Sequence, residues 1–144
     1  MKKFSFTMEK ILKVRKSEEQ MAEMELGKVN GQIAEVDREI EALAIKRKSV
    51  SSSFSKSLDS SLLAGNLNFF SYIDKKTDEL QERKAGLLLI QEEKKNLVLE
   101  AMKKVKALEK LKEKQKEKWQ IEADIERKKQ FTDTITSMYG EKLE

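Results

Sequence analysis

The sequence predicts an all-α protein, a long antiparallel two-helix coiled-coil hairpin. Three observations carry this. The 144 residues include no Pro and only 5 Gly, with 39% charged and 38% hydrophobic types. That is the composition of long helices rather than of a chain with a thick core. Apolar residues recur at alternating steps of four and three over many turns, which marks a narrow stripe that must meet a partner helix. A single serine-rich break divides the chain, which suggests a partner helix in the same polypeptide. The alternative is an open chain paired with a second copy, and loop-closure entropy favours the hairpin at low concentration. Disorder is excluded by the absence of Pro and the regularly spaced aliphatics.

Helix one is expected over about 4–57. Its stripe runs Met8, Leu12, Arg15, Glu19, Ala22, Leu26, Val29, Ile33, Val36, Ile40, Leu43, Arg47, Val50 and Phe54. Only Arg15, Glu19 and Arg47 interrupt it. The pattern fails at 49–61, where Ser dominates and competes for its own backbone. A loop is expected over about 58–67, with Gly65 supplying a turn and Asn66 or Asn68 capping the next helix. Helix two is expected over about 68–138. Its central column reads Ile73, Leu80, Leu87, Lys94, Ala101 and Leu108, flanked by Phe69, Ile90, Leu97 and Leu111 on one side and Val98, Val105 and Trp119 on the other. Antiparallel pairing then sets Phe54 near Ile73, Ile40 near Leu87 and Met8 near Trp119, with the last twenty or so residues overhanging. The whole chain, 1–144, reads as one coiled-coil hairpin.

Missing residue types narrow the function. Without His or Cys the chain cannot build a zinc site on those ligands, a Ser–His–Asp triad or a Cys nucleophile. It has no Gly-rich phosphate loop. No cofactor, metal or small-molecule substrate is expected, and the chain does not read as an enzyme. The longest apolar run, Leu87–Ile90, is far below the roughly 20 residues that span a bilayer. A soluble, intracellular protein is expected.

Four features stand out as candidate contact sites. Residues 103–118 hold Lys103, Lys104, Lys106, Lys110, Lys112, Lys114, Lys116 and Lys118 against Glu109, Glu113 and Glu117, a net +5 in a chain of net +4. This tract either attracts an anionic surface or forms a solvated face laced by Glu109–Lys112 and Glu113–Lys116 pairs. The cluster Phe69-Phe70-Ser71-Tyr72-Ile73 sends Phe69 and Ile73 to the seam. Phe70 and Tyr72 diverge from that face, either to anchor a partner or to pack on the serine-rich loop. Arg15, Glu19 and Lys94 set register or reach outward past the seam. Phe4 and Phe6 either staple the second helix or form an exposed tip that enters another protein's cavity.

The opening run from Phe4 to Glu19, with aromatic-x-aromatic followed by a Leu-containing turn, a basic pair and Glu, resembles the start of the FliJ family of flagellar export-apparatus stalk proteins. Leu26-Gly27, the aromatic opening Asn68–Ile73 and the charged close Glu126-Arg127-Lys128-Lys129 are similar to that family too. The resemblance implies an antiparallel α-hairpin like the central stalk of rotary ATP synthases. It implies as partners a hexameric flagellar export ATPase, a transmembrane export gate protein and export chaperones. The cytoplasmic face of the membrane-embedded basal body is the implied location. Phe4, Phe6, Lys10, Arg15, Arg127 and Lys128 are the implied ATPase contacts; Leu43, Phe70 and Tyr72 are the implied gate contacts. Lys46 and Val50 stand where the family carries aromatics, and Asp133-Thr134 where it carries an acidic pair.

Two other classes are distinguishable from the stalk. A basic coiled-coil module for nucleic acid or an anionic surface would bind with steep salt dependence. Nucleic acid is disfavoured because only Trp119 offers a stacking ring near the basic tract. A structural tether would show neither that binding nor ATPase stimulation.

Overall fold

A computed structural model describes residues 3–54 and 60–143, with side-chain surroundings for 3–53 and 63–140. Two helices, α1 (Glu9–Phe54) and α2 (Ser60–Leu143), pack against each other as an antiparallel hairpin. No strand occurs among the described residues. The all-α two-helix hairpin is therefore the fold. The chain divides into two compact units: a terminal unit, Met1–Glu19 with Glu100–Glu144, and a medial unit, Gln20–Leu99.

The stripe of α1 behaves as its spacing requires. Leu12, Val29, Ile33 and Val36 are buried, and Arg15, Glu19, Ala22, Leu26, Ile40, Leu43 and Val50 are half-buried. Arg47 alone leaves the stripe for solvent, and the side chain of Phe54 lies outside the described residues. Apolar residues off this phase, such as Val14, Met24 and Ile45, are exposed.

In α2 the true stripe differs from the expected one. It runs through Phe70, Ile73, Thr77, Leu80, Lys84, Leu87, Gln91, Lys94 and Val98 in the medial unit. In the terminal unit it runs through Ala101, Val105, Leu108, Lys112, Gln115 and Trp119. The four-three step is as strict as in α1, but both of its columns are interrupted by polar residues: Thr77, Lys84, Gln91 and Lys112 in one, Lys94 and Gln115 in the other. Ile90, Leu97 and Leu111, expected at the seam, are exposed. Choosing apolar residues over phase displaced them: a long polar side chain at a seam position can bury its stem and send its head outward.

Boundaries also move. Helix one was expected from residue 4, but α1 begins at Glu9. There the Met8 carbonyl accepts from the Leu12 amide at 2.9 Å, and the Glu9 amide donates to the Phe6 carbonyl at 3.1 Å. Helix two starts at Ser60 instead of about 68 and continues to Leu143 instead of 138. Gly65, Asn66 and Asn68 therefore lie inside α2, and no glycine among the described residues takes a positive φ. Residues 58–59 of the expected loop lie outside the described residues.

An earlier break shifts the pairing. In the medial unit, Arg47 meets Asp74, Asp37 meets Lys84 and Asn30 meets Gln91, the two numbers adding to 121 each time. The expected match of Ile40 with Leu87 adds to 127, so Ile40 instead stands across from the turn around Leu80 and Gln81. In the terminal unit Trp119 meets Phe4 rather than Met8, and Met8 packs against the cluster of Phe6, Leu12 and Val105.

Candidate functional site

The terminal unit is built by a short non-helical strap. Alternation in Phe4-Ser5-Phe6 puts both rings on one side of an extended segment. Phe6 is 6% exposed and forms a core with Leu12 and Val105, with Phe4, Met8 and Leu108 packed around it. The rings of Phe4 and Trp119 sit tilted with centroids 6.0 Å apart, within the favourable range for an aromatic pair. Ala123, one turn beyond Trp119, is also buried. The first two turns of α1 are tied to α2 by ion pairs: Lys112 Nζ lies 2.9 Å from Glu9 Oε2, and Lys16 Nζ lies 3.7 Å from Glu109 Oε1. The hydrogen bond from Lys112 holds the Glu9 carboxyl below its ordinary pKa, with Lys13 and Lys16 adding weaker attraction.

These contacts decide between the two roles open to the N-terminal aromatics. Phe6 is not an exposed tip; it is the staple, and Phe4 is half-buried beside it. The same pairs replace the expected Glu109–Lys112 rung within the basic tract, since Lys112 and Glu109 both reach across to α1. Of the remaining candidates here, Lys10 and Lys128 are exposed, Arg127 is exposed beside Asp124 at 3.8 Å, and half-buried Arg15 is held by Glu18 at 3.0 Å. Sequence reasoning placed Lys112 in the basic tract but missed its seam position and its contact with Glu9. Its signal was its place in the seven-residue column with Val98, Val105 and Trp119.

Past Trp119 the apolar pattern rotates. Ile121, Ile125, Phe131, Ile135, Met138 and Tyr139 are all exposed. At about 100° per residue, Ile121 and Ile125 point away from the side on which Trp119 and Ala123 are buried.

In the medial unit the three gate candidates fall close together. Leu43 and Tyr72 line an open groove of about 270 Å³ with Glu39, Ala42, Lys46, Lys76 and Leu80. Tyr72 is 61% exposed, whereas Leu43 is half-buried. Phe70 stands apart from the groove lining. It is half-buried, with the Arg47 guanidinium 4.9 Å from its ring centroid and the Phe69 ring 6.3 Å away. Arg47 also donates to both carboxylate oxygens of Asp74, at 3.0 and 3.4 Å. That fork fixes the guanidinium over the ring. Among the described residues Phe70 packs beneath this ion pair, and the serine-rich segment 55–59 invoked for its other role lies outside them.

No group of acidic side chains suited to a metal ion and no helix long and apolar enough to cross a membrane occurs among the described residues. The family model described as "Flagellar FliJ protein" matches residues 4–138. The chain belongs to the FliJ family. As a FliJ-family chain it is a flagellar export-apparatus protein, and the family is a structural component of that machinery rather than a known enzyme. No curated protein and no solved structure matches the chain.

Proposed function

We propose that this FliJ-family chain is the stalk and coupling subunit of the flagellar type III export apparatus. Its paired ends insert into the centre of the hexameric export ATPase, promote ring assembly and ATP hydrolysis, and link the ring to the transmembrane export gate. It also escorts export chaperones, and it works from the cytoplasm, peripherally at the basal body. The observation that supports this reading best is the strap. With Phe6 buried on Val105 and Phe4 tilted against Trp119, the N-terminal segment and α2 form one pre-assembled end, which lowers the ordering cost of entering a ring. Contact with the ATPase then falls to the exposed Lys10, Arg127 and Lys128, while Phe4 and Phe6 act by holding the end together. The gate contact falls to the groove at Leu43 and Tyr72, with Phe70 beside it.

The test is ATP hydrolysis by the purified hexameric export ATPase with the full chain added. Faster turnover is expected, reduced by Lys10→Ala with Arg127→Ala and Lys128→Ala. Turnover that does not respond to the wild-type chain would remove the proposal.

A further inference from the structure

The terminal unit has two flanks of different chemistry. Around α2 in this unit, Val105, Leu108, Lys112 and Gln115 mark the seam. Advancing about 100° per residue puts Glu109, Glu113 and Lys116 on one flank. There Glu109 pairs with Lys16 of α1. The other flank carries Lys103, Lys104, Lys114 and Lys118 around Leu111, with Glu100 and Glu122 at its two ends. All four lysines are exposed, and none is in an ion pair among the described residues. The same phase on α1 places Ile11, Val14 and Glu18 toward this flank. Glu18 is engaged by Arg15 at 3.0 Å, which leaves Ile11 at 45%, Val14 at 55% and Leu111 at 37% exposure.

We infer that this flank is a docking surface for an anionic phospholipid bilayer. The lysines lie at the edge of the aliphatic side chains, the arrangement in which long stems cover apolar surface and charged heads reach headgroups. Lys104 and Lys118 are about 21 Å apart along the helix at 1.5 Å per residue, so the heads meet several lipids at once. Duplex nucleic acid satisfies the lysines but offers no apolar phase to Ile11, Val14 and Leu111. Single strands would need stacking rings, and Trp119, the aromatic residue nearest the tract, is half-buried beside Phe4. The convex surface of a helix pair also suits a soft, flat partner. This inference does not depend on insertion into the ATPase.

The test is flotation of the full chain with vesicles of phosphatidylcholine alone and of equal parts phosphatidylcholine and phosphatidylglycerol. Binding is expected only to the second, falling steeply with salt. The triple variant Lys104→Gln, Lys114→Gln, Lys118→Gln should lower partitioning about 100-fold, from roughly fivefold per lysine near an anionic surface. The triple variant Lys13→Gln, Lys106→Gln, Lys116→Gln removes the same charge from the opposite flank and should lower it less than about fivefold. Far-UV circular dichroism checks that both variants stay helical. Equal losses in the two triples would reduce the effect to diffuse charge and overturn the assignment. So would equal binding to both vesicle types, no flotation, or capture of duplex DNA in preference to the anionic vesicles.

Discussion

The medial and terminal units are made from the same two helices yet are held by different means. The medial unit has 12 basic and 13 acidic residues, whereas the terminal unit has 18 and 13. Across the medial seam run three polar contacts in a single register: Arg47–Asp74, Asp37–Lys84 and Asn30–Gln91. They alternate with the buried aliphatics Val29, Ile33, Val36, Ile73 and Leu80. The terminal unit adds a third segment, the strap, and closes on aromatic rings. Polar contacts at an exposed seam contribute little to stability, about 0–1 kcal/mol each, but they penalise slippage. Aromatic burial contributes more and tolerates rotation better. The medial unit is thus specialised for alignment and the terminal unit for holding a chain end in place.

The sharpest way to break the contrast is to charge the medial seam. Val36→Asp, at a position 1% exposed, should cost on the order of 4 kcal/mol, because a charge enters the buried seam where the nearby cation Lys84 is already held by Asp37. A thermal midpoint unchanged from wild type would deny that Val36 is core.

Phe6→Ala should come next, at about 3 kcal/mol of local stability. Amide exchange should accelerate over 9–19 and remain slow over 26–43. Emission from Trp119, the sole tryptophan, should shift to the red as Phe4 leaves its ring. Uniform acceleration along α1 would erase the distinction between the units.

A smaller effect of opposite sign is expected from Lys84→Leu with Gln91→Leu. Apolar side chains at these half-buried seam positions should raise stability by about 1–2 kcal/mol while relaxing register. Chemical denaturation measures the first, and crosslinking between 47 and 74 the second. A lower denaturation midpoint would mean that the Asp37 and Asn30 contacts matter more for stability than for alignment.

The smallest effect is a pH dependence confined to the terminal unit. The Glu9 carboxyl is held low by Lys112, so its contribution is present above its ordinary pKa. It is lost as pH falls through the lowered value. Between neutral pH and about pH 3, exchange protection of the first turn of α1 should fall in wild type and change less in Glu9→Gln. Equal loss in both would assign the acid sensitivity to another carboxylate.

Much of this architecture was legible in the sequence, and the exceptions are instructive. The α1 stripe from Leu12 to Val50 could be read residue by residue, because its members are nearly all apolar. The α2 stripe could not, since Thr77, Lys84, Gln91 and Lys112 hold seam positions and the eye passes to Ile90, Leu97 and Leu111 instead. Gly65 and the two asparagines looked like punctuation, yet the packed helix absorbs them. The staple role of Phe4 and Phe6 was one of two readings, and choosing it required knowing which part of α2 lies beneath them.

By itself the sequence determined that two long helices form and that they must cover each other's apolar stripes. Composition and four-three spacing act locally, through helix propensity and side-chain direction. Only the tertiary structure decided the register, the point where α2 begins and the burial of Phe6 against Val105. Each of those depends on a contact between residues many turns apart in the chain. A helical period specifies which side of a helix is apolar, but not which turn of the partner it will meet.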